Sequence, residues 1–188
     1  MKTRYAAALI PLVALAALLP SASALGAKAR DAQFYVNPFA SPAWSSSRTD
    51  MGVDMIPSRP TAVVAIGDGV ILGSEPHARW PGKHYIYYQL TSGSHAGDVI
   101  YVAEHLKNLV KAGAVVHAGQ RIATALPGDP WTEWGWADQY GSPRALPCYK
   151  DGHATSSGRE MARFLTGLGA TLNNAPGPGS DAPTGRKC

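Results

Sequence analysis

The sequence predicts a mainly β fold: an antiparallel sheet sandwich or open barrel with one C-terminal helix. Three observations predict it. Short runs of β-branched and aromatic residues recur between Thr61 and Ala137, the segments joining them are rich in Gly, Asp and Ser, and one stretch alone has convincing helical periodicity.

The chain opens with a secretory leader over 1–24. Lys2 and Arg4 give a basic start, an apolar run extends from Tyr5 to Leu19, and Ala22-Ser23-Ala24 supplies a small-x-small cleavage site before Leu25. The run contains Pro11 and falls short of the ~20 residues that span a bilayer, so a retained anchor is the weaker alternative. An extended lead-in follows over 25–47, with Pro38, Pro42 and several serines. Phe34, Tyr35, Phe39 and Trp44 could lay it over the domain. The β domain with its C-terminal helix is assigned to 48–172.

Strand candidates are Ala62 to Ile66, Val70 to Leu72, His84 to Leu90, Asp98 to Ala103, Gln120 to Ala125 and Thr132 to Ala137. Gly67-Asp68-Gly69, between the first two, reads as a tight hairpin turn. Thr91 to Gly97 reads as a loop. Met161, Phe164, Leu165 and Leu168 share one helical face. Ser157 with Glu160 reads as a capping-box start and Gly169 as a stop. After Leu172 the segment 173–188 is a Pro/Gly-rich tail expected to lack order except where Cys188 anchors it.

Composition excludes one large class. Removing the leader lowers the formal net charge from +4 to +2, and no run of Lys and Arg is interleaved with aromatics, so nucleic-acid binding is not expected. In an oxidising compartment Cys148 and Cys188 would form a disulfide, closing a loop of about 40 residues. The alternative leaves Cys188 free or paired between chains.

Several segments together resemble the lysostaphin/LytM-type murein zinc metallopeptidases, over roughly half of the chain. Asp50-Met51-Gly52-Val53-Asp54 is similar to the family's His-x-Gly-x-Asp. Pro57 to Leu72, with Ala65 and Asp68-Gly69-Val70, is similar to its following hairpin segment. Tyr101 to Leu106 resembles a Tyr-x-His-Leu segment. Val110 to Ile122 looks like the V-K-x-G-x-x-V-x-x-G-Q-x-I turn, in which Gly113 and Gly119 serve as turn points around Val115-Val116. That turn also occurs in lipoyl-type carriers and phosphotransfer domains, so it marks the fold and not the chemistry. The resemblance implies a LytM-type (duplicated hybrid motif) β fold.

It also implies a centre with two His and one Asp on zinc and two further catalytic His. Zinc would polarise the scissile carbonyl and acidify its bound water. Carried over, Asp54 matches the aspartate ligand and His105 the first catalytic histidine. Asp50 stands where the family has a His ligand. If the His-x-His strand corresponds to Glu133-Trp134-Gly135, Glu133 stands in a catalytic His place and Gly135 in that of the last ligand. Two of three ligand positions are then changed.

Three chemical readings follow. Asp50, Asp54, His105 and Glu133 could rebuild a harder metal site, for zinc or calcium, with His95 and His117 joining only if their loops fold over it. Asp54 and His105 could instead be a vestigial hydrogen-bonded pair that keeps the cleft's shape. Glu133 paired with Asp50 or Asp54 could run acid/base work on a glycan, with Trp131, Trp134 and Trp136 as stacking surfaces. Strand alternation puts Trp131 and Gly135 on the Glu133 face, lining a substrate groove, and Trp134 on the opposite face.

The function expected is a secreted, catalytically degenerate LytM-like module, monomeric, that binds peptidoglycan or a cell-wall enzyme. No cofactor is expected in that state. The alternative is an active peptidoglycan endopeptidase with zinc on the variant set.

Overall fold

The computed structural model describes residues 33–76 and 83–172. The leader 1–24 and the tail 173–188 lie outside the described residues, and with Cys188 so does the Cys148–Cys188 pairing.

Among the described residues, ten strands and one α-helix follow in chain order, with a short 3-10 turn at Leu146–Cys148 before the helix. They are β1 (Trp44–Thr49), β2 (Val53–Pro57), β3 (Thr61–Val64), β4 (Gly69–Pro76), β5 (His84–Leu90), β6 (Val99–Glu104), β7 (Leu106–Lys107), β8 (Val115–Val116), β9 (Arg121–Ala125), β10 (Thr132–Ala137) and α1 (Ser156–Gly167). They build a seven-stranded sheet in the order β1-β2-β10-β6-β5-β4-β8 and a three-stranded sheet in the order β3-β9-β7. Every pairing is antiparallel. This is the mainly β architecture expected, an open pair of sheets with one helix.

Two strands precede the expected set. β1 begins inside the stretch read as a lead-in, where Trp44-Ser45-Ser46-Ser47-Arg48-Thr49 lacks apolar alternation because it is an edge strand held by β2 alone. The lead-in aromatics do lie on the domain. Tyr35 is buried, its hydroxyl donating to the Ser92 carbonyl and accepting from the His95 amide, and Phe34, Phe39 and Trp44 pack against the core.

The tight hairpin at Gly67-Asp68-Gly69 is corrected. β3 pairs with β9 in the small sheet, whereas β4 pairs with β5 and β8 in the large one. The chain changes sheets there, and Asp68 accepts from the Ala118 amide at 2.9 Å. Gly113 and Gly119, flanking β8, have φ of +85° and +80°, as turn glycines do.

The main core lies on one face of the large sheet. It joins Val53, Met55, Ile86, Tyr88, Ile100, Val102, Trp134 and Trp136 to Val63, Ile122 and Ala125 of the small sheet and to Met161 and Leu165 of α1. Tyr85, Val99, Tyr101, Ala103 and Ala137 cover the opposite face with Leu72 and Tyr87. The helical face is the one periodicity predicted, but the cap is Thr155 and not Ser157: its Oγ1 accepts from the Gly158 amide at 3.0 Å. Ser157 is buried at the second position of the helix. Gly169, at φ +91°, ends the helix as expected.

Candidate functional site

The site grows from one register. In the antiparallel pairing of β2 with β10, Glu133 lies opposite Asp54, so both carboxyl groups project from the same face. Asp50 joins them from the turn between β1 and β2. That turn can approach β10 only through Gly52, where a Cβ would sit 2.3 Å from the Trp134 carbonyl oxygen and 2.9 Å from Glu133 Cγ. One oxygen from each of Asp50, Asp54 and Glu133 lies within 4.8 Å of the others, and all three residues are buried.

Three anions so close would repel strongly in a medium of low dielectric constant. Two features relieve this. Arg48 reaches in from β1, with Nε donating to Asp54 Oδ2 at 2.8 Å and Nη2 lying 3.1 Å from Asp50 Oδ2 and 2.8 Å from Asp151 Oδ1. Its guanidinium lies 5.5 Å over the Trp131 ring. Burial works against the Arg48 charge, but the neighbouring acids outweigh it and raise its pKa. The second feature is retained protons. Burial, with Asp54 and Asp50 beside it, pushes Glu133 well above the carboxylic range despite the hydrogen bond it accepts from Tyr101. Asp54 is pushed up to about 7, by burial first and Asp50 second, against the pull of Arg48.

Asp50 is tied down on every side. Oδ1 accepts from the Met51 amide, Oδ2 lies 3.4 Å from the Gly152 amide and 3.5 Å from the Tyr149 hydroxyl, and the carbonyl accepts from both the amide and the hydroxyl of Thr155.

Gly135 shares the Glu133 face and faces Tyr101 across the β10–β6 pairing. A Cβ at Gly135 would stand 2.4 Å from Tyr101 Cε1 and 2.5 Å from its hydroxyl oxygen. The tyrosine ring therefore fills the space above the glycine. It stacks on Tyr85 at 5.4 Å and donates to Glu133 Oε1.

Of the residues singled out from sequence, the fold brings together Asp50, Asp54 and Glu133, with Trp131 under Arg48 and Gly135 under Tyr101. His105 follows β6 and is not in the carboxylate trio; its Nδ1 is buried with no hydrogen-bond partner among the described residues, near Gly128. His95 and His117 stay outside as well, one 3.0 Å from Asp98 and packed on Trp136, the other 3.5 Å from Asp68. Trp134 and Trp136 are core residues and offer no sugar-stacking surface. Sequence reasoning missed Arg48, Tyr101, Tyr149 and Asp151 as site residues. Arg48 lies two residues before the Asp50–Asp54 motif, so a cation beside two acids was the available signal. Tyr101 had none without the strand register.

The sequence matches no protein-family model and no curated protein. Solved structures do match. The antimicrobial peptidase lysostaphin from Staphylococcus simulans superposes with a TM-score of 0.50 at 17% identity, over 81% of this chain and 60% of that one. The solution structure of lysostaphin gives 0.51 at 17% identity, over 82% and 61%. The chain has the lysostaphin-type peptidase fold. It spans about three fifths of the length of the lysostaphin chains it matches.

Zinc, which the motif resemblance implies, can be tested against the residues present. The trio is compact enough to bracket a cation. Its donors, however, are carboxylates alone, two of them already paired with a guanidinium, and Gly135 on the same face is covered by a tyrosine ring. A peptidase zinc site keeps neutral imidazole donors and an open position for water. With Arg48 in place, this donor set does not fit that ion.

Proposed function

We propose that this chain is a secreted, catalytically degenerate lysostaphin-type module that binds peptidoglycan, or an enzyme acting on it, through the surface at Trp131 and Arg48, since Gly135 is buried beneath Tyr101. The Tyr101 ring over Gly135 carries this reading. A side chain that fills the place the resemblance gives to the last ligand, and hydrogen-bonds the acid beside it, argues against a hydrolytic centre.

The cell-envelope location rests on the leader over 1–24 and on the fold's cell-wall peptidase neighbours. Among the described residues no helix is long and apolar enough to cross a membrane. At that surface, Trp131 and the Arg48 guanidinium over it offer an apolar and a cationic contact to a wall peptide.

The test uses the mature protein from Leu25 with purified sacculi. Co-sedimentation without release of soluble muropeptides, with or without added zinc, is the expected result. Trp131→Ala should weaken retention about tenfold or more, the loss of a contact worth on the order of 1.4 kcal/mol. Failure to sediment with sacculi or with a wall enzyme would overturn the binding reading.

The compactness of the acidic trio supports a second reading, an active metallohydrolase with Asp50, Asp54, His105 and Glu133. Zinc-dependent muropeptide release that His105→Ala abolishes would establish it in place of the first.

A further inference from the structure

We propose that the Arg48 guanidinium is the permanent cation of this centre, standing in for a metal ion and excluding one. The inference deepens the reading of the centre as non-hydrolytic, and it concerns the cation alone, whatever the surface at Trp131 binds.

The geometry is that of a cation held by its ligands. Arg48 touches Asp54, Asp50 and Asp151, at 2.8, 3.1 and 2.8 Å, and it does so from the adjacent edge strand. Asp50 and Asp54 are almost wholly buried, whereas the Arg48 side chain is 40% exposed, so the guanidinium caps the acids at their solvent side. Any ion entering from water would have to displace it. The surroundings hold it in place from two directions. Trp131 supports one face of the plane, and Tyr149 donates to Asp151 at 3.1 Å, orienting that acid towards Arg48.

Charge accounting favours the same assignment. A divalent ion would draw all three buried acids into their ionised forms. Arg48 supplies a single positive charge, and the Tyr101 hydroxyl offers Glu133 a hydrogen bond in place of a metal bond. The centre is thus complete with its own residues. A planar five-donor fork also suits this task better than an ammonium, because it serves three carboxylates at once.

The experiment compares the wild type with Arg48→Met, Arg48→Lys and the double variant Arg48→Met/Asp54→Asn. Each is exposed to zinc chloride, desalted, assayed for bound metal and melted. The wild type should hold no stoichiometric zinc, and its melting temperature should not move with zinc or chelator. Arg48→Met leaves buried acids without a counter-ion and should melt roughly 10 °C lower. It should take up zinc and regain part of that loss. The double variant should recover stability without zinc, since the pair is removed together. Arg48→Lys keeps the charge, should fold if Arg48→Met does not, and should take up little zinc.

One equivalent of zinc on the wild type, lost in Asp54→Ala, would overturn the proposal. So would Arg48→Met melting with the wild type, or folding normally while taking up no zinc. Sacculus retention by the wild type is a separate readout, so a failure here does not decide the wall-binding reading.

Discussion

At the scale of single residues, the centre is shaped as much by two glycines as by its acids. Gly52 admits the Asp50 turn against β10, and Gly135 admits the Tyr101 ring. Neither glycine has a positive φ, so each is required by close approach and not by backbone freedom. Gly135→Ala would drive a methyl group to 2.4 Å from a buried aromatic ring that cannot withdraw without breaking its bond to Glu133. The expected loss is about 2–3 kcal/mol in urea unfolding, the usual cost of overpacking a core. Pairing it with Tyr101→Ala should return part of that loss, because the obstructing ring is gone. Additive losses in the double variant would show that the two positions do not share this space.

At the scale of elements, α1 and the Asp50 turn behave as one unit. Thr155 caps the helix through Gly158 and also donates, by amide and hydroxyl, to the Asp50 carbonyl. Gly158 permits the contact, since a Cβ there would lie 2.1 Å from that carbonyl oxygen. Thr155→Ala therefore removes a cap and a tether together. A loss of about 1–2 kcal/mol is expected, at the upper end for a cap. Faster hydrogen exchange should appear at the Asp50–Gly52 turn as well as in the first helical turn. Exchange confined to the helix would separate the two elements. The periodicity of Met161, Phe164, Leu165 and Leu168 made the helix legible. The start was misplaced because Ser157-x-x-Glu160 has the capping-box pattern, whereas the extended φ and ψ of Thr155 and its bond from Gly158 make that residue the cap.

At the scale of the whole molecule, the buried acids set how stability depends on pH. Asp54 moves from an ordinary 3.8 to about 7, and Glu133 shifts in the same direction. Between those values the native protein keeps protons that the unfolded chain has released. Stability should therefore fall as pH rises from about 4 to about 7. Asp98 and Asp151 act oppositely. Burial resists ionisation of Asp98, but Arg144 and His95 outweigh it, and the Tyr149 and Arg48 bonds lower Asp151. Their contribution is present above the ordinary carboxylate value and lost below it. A stability maximum at about pH 4–5 is expected from urea midpoints measured between pH 3 and 8. Asp54→Asn should flatten the limb above it. A maximum near neutrality would show that the trio is ionised in the native state.

The sequence by itself determined the β class, the main strands, the turn glycines and the one helix, because each rests on local alternation, turn chemistry or periodicity. It also brought Asp50, Asp54 and Glu133 forward, through a resemblance carried by short motifs. Tertiary structure decided what those acids are. Glu133 meets Asp54, and Tyr101 covers Gly135, through cross-strand registers that no single segment encodes. The sheet change at Gly67 was equally hidden, since Asp-Gly favours a turn whichever sheet the next strand joins. Arg48 was visible as a residue but not as a cation for three acids, because its partners Asp54 and Asp151 lie 6 and 103 positions along the chain. Pairing of charges across such distances is a product of folding: burial makes the acids need a counter-ion, and only the packed sheet places one beside them.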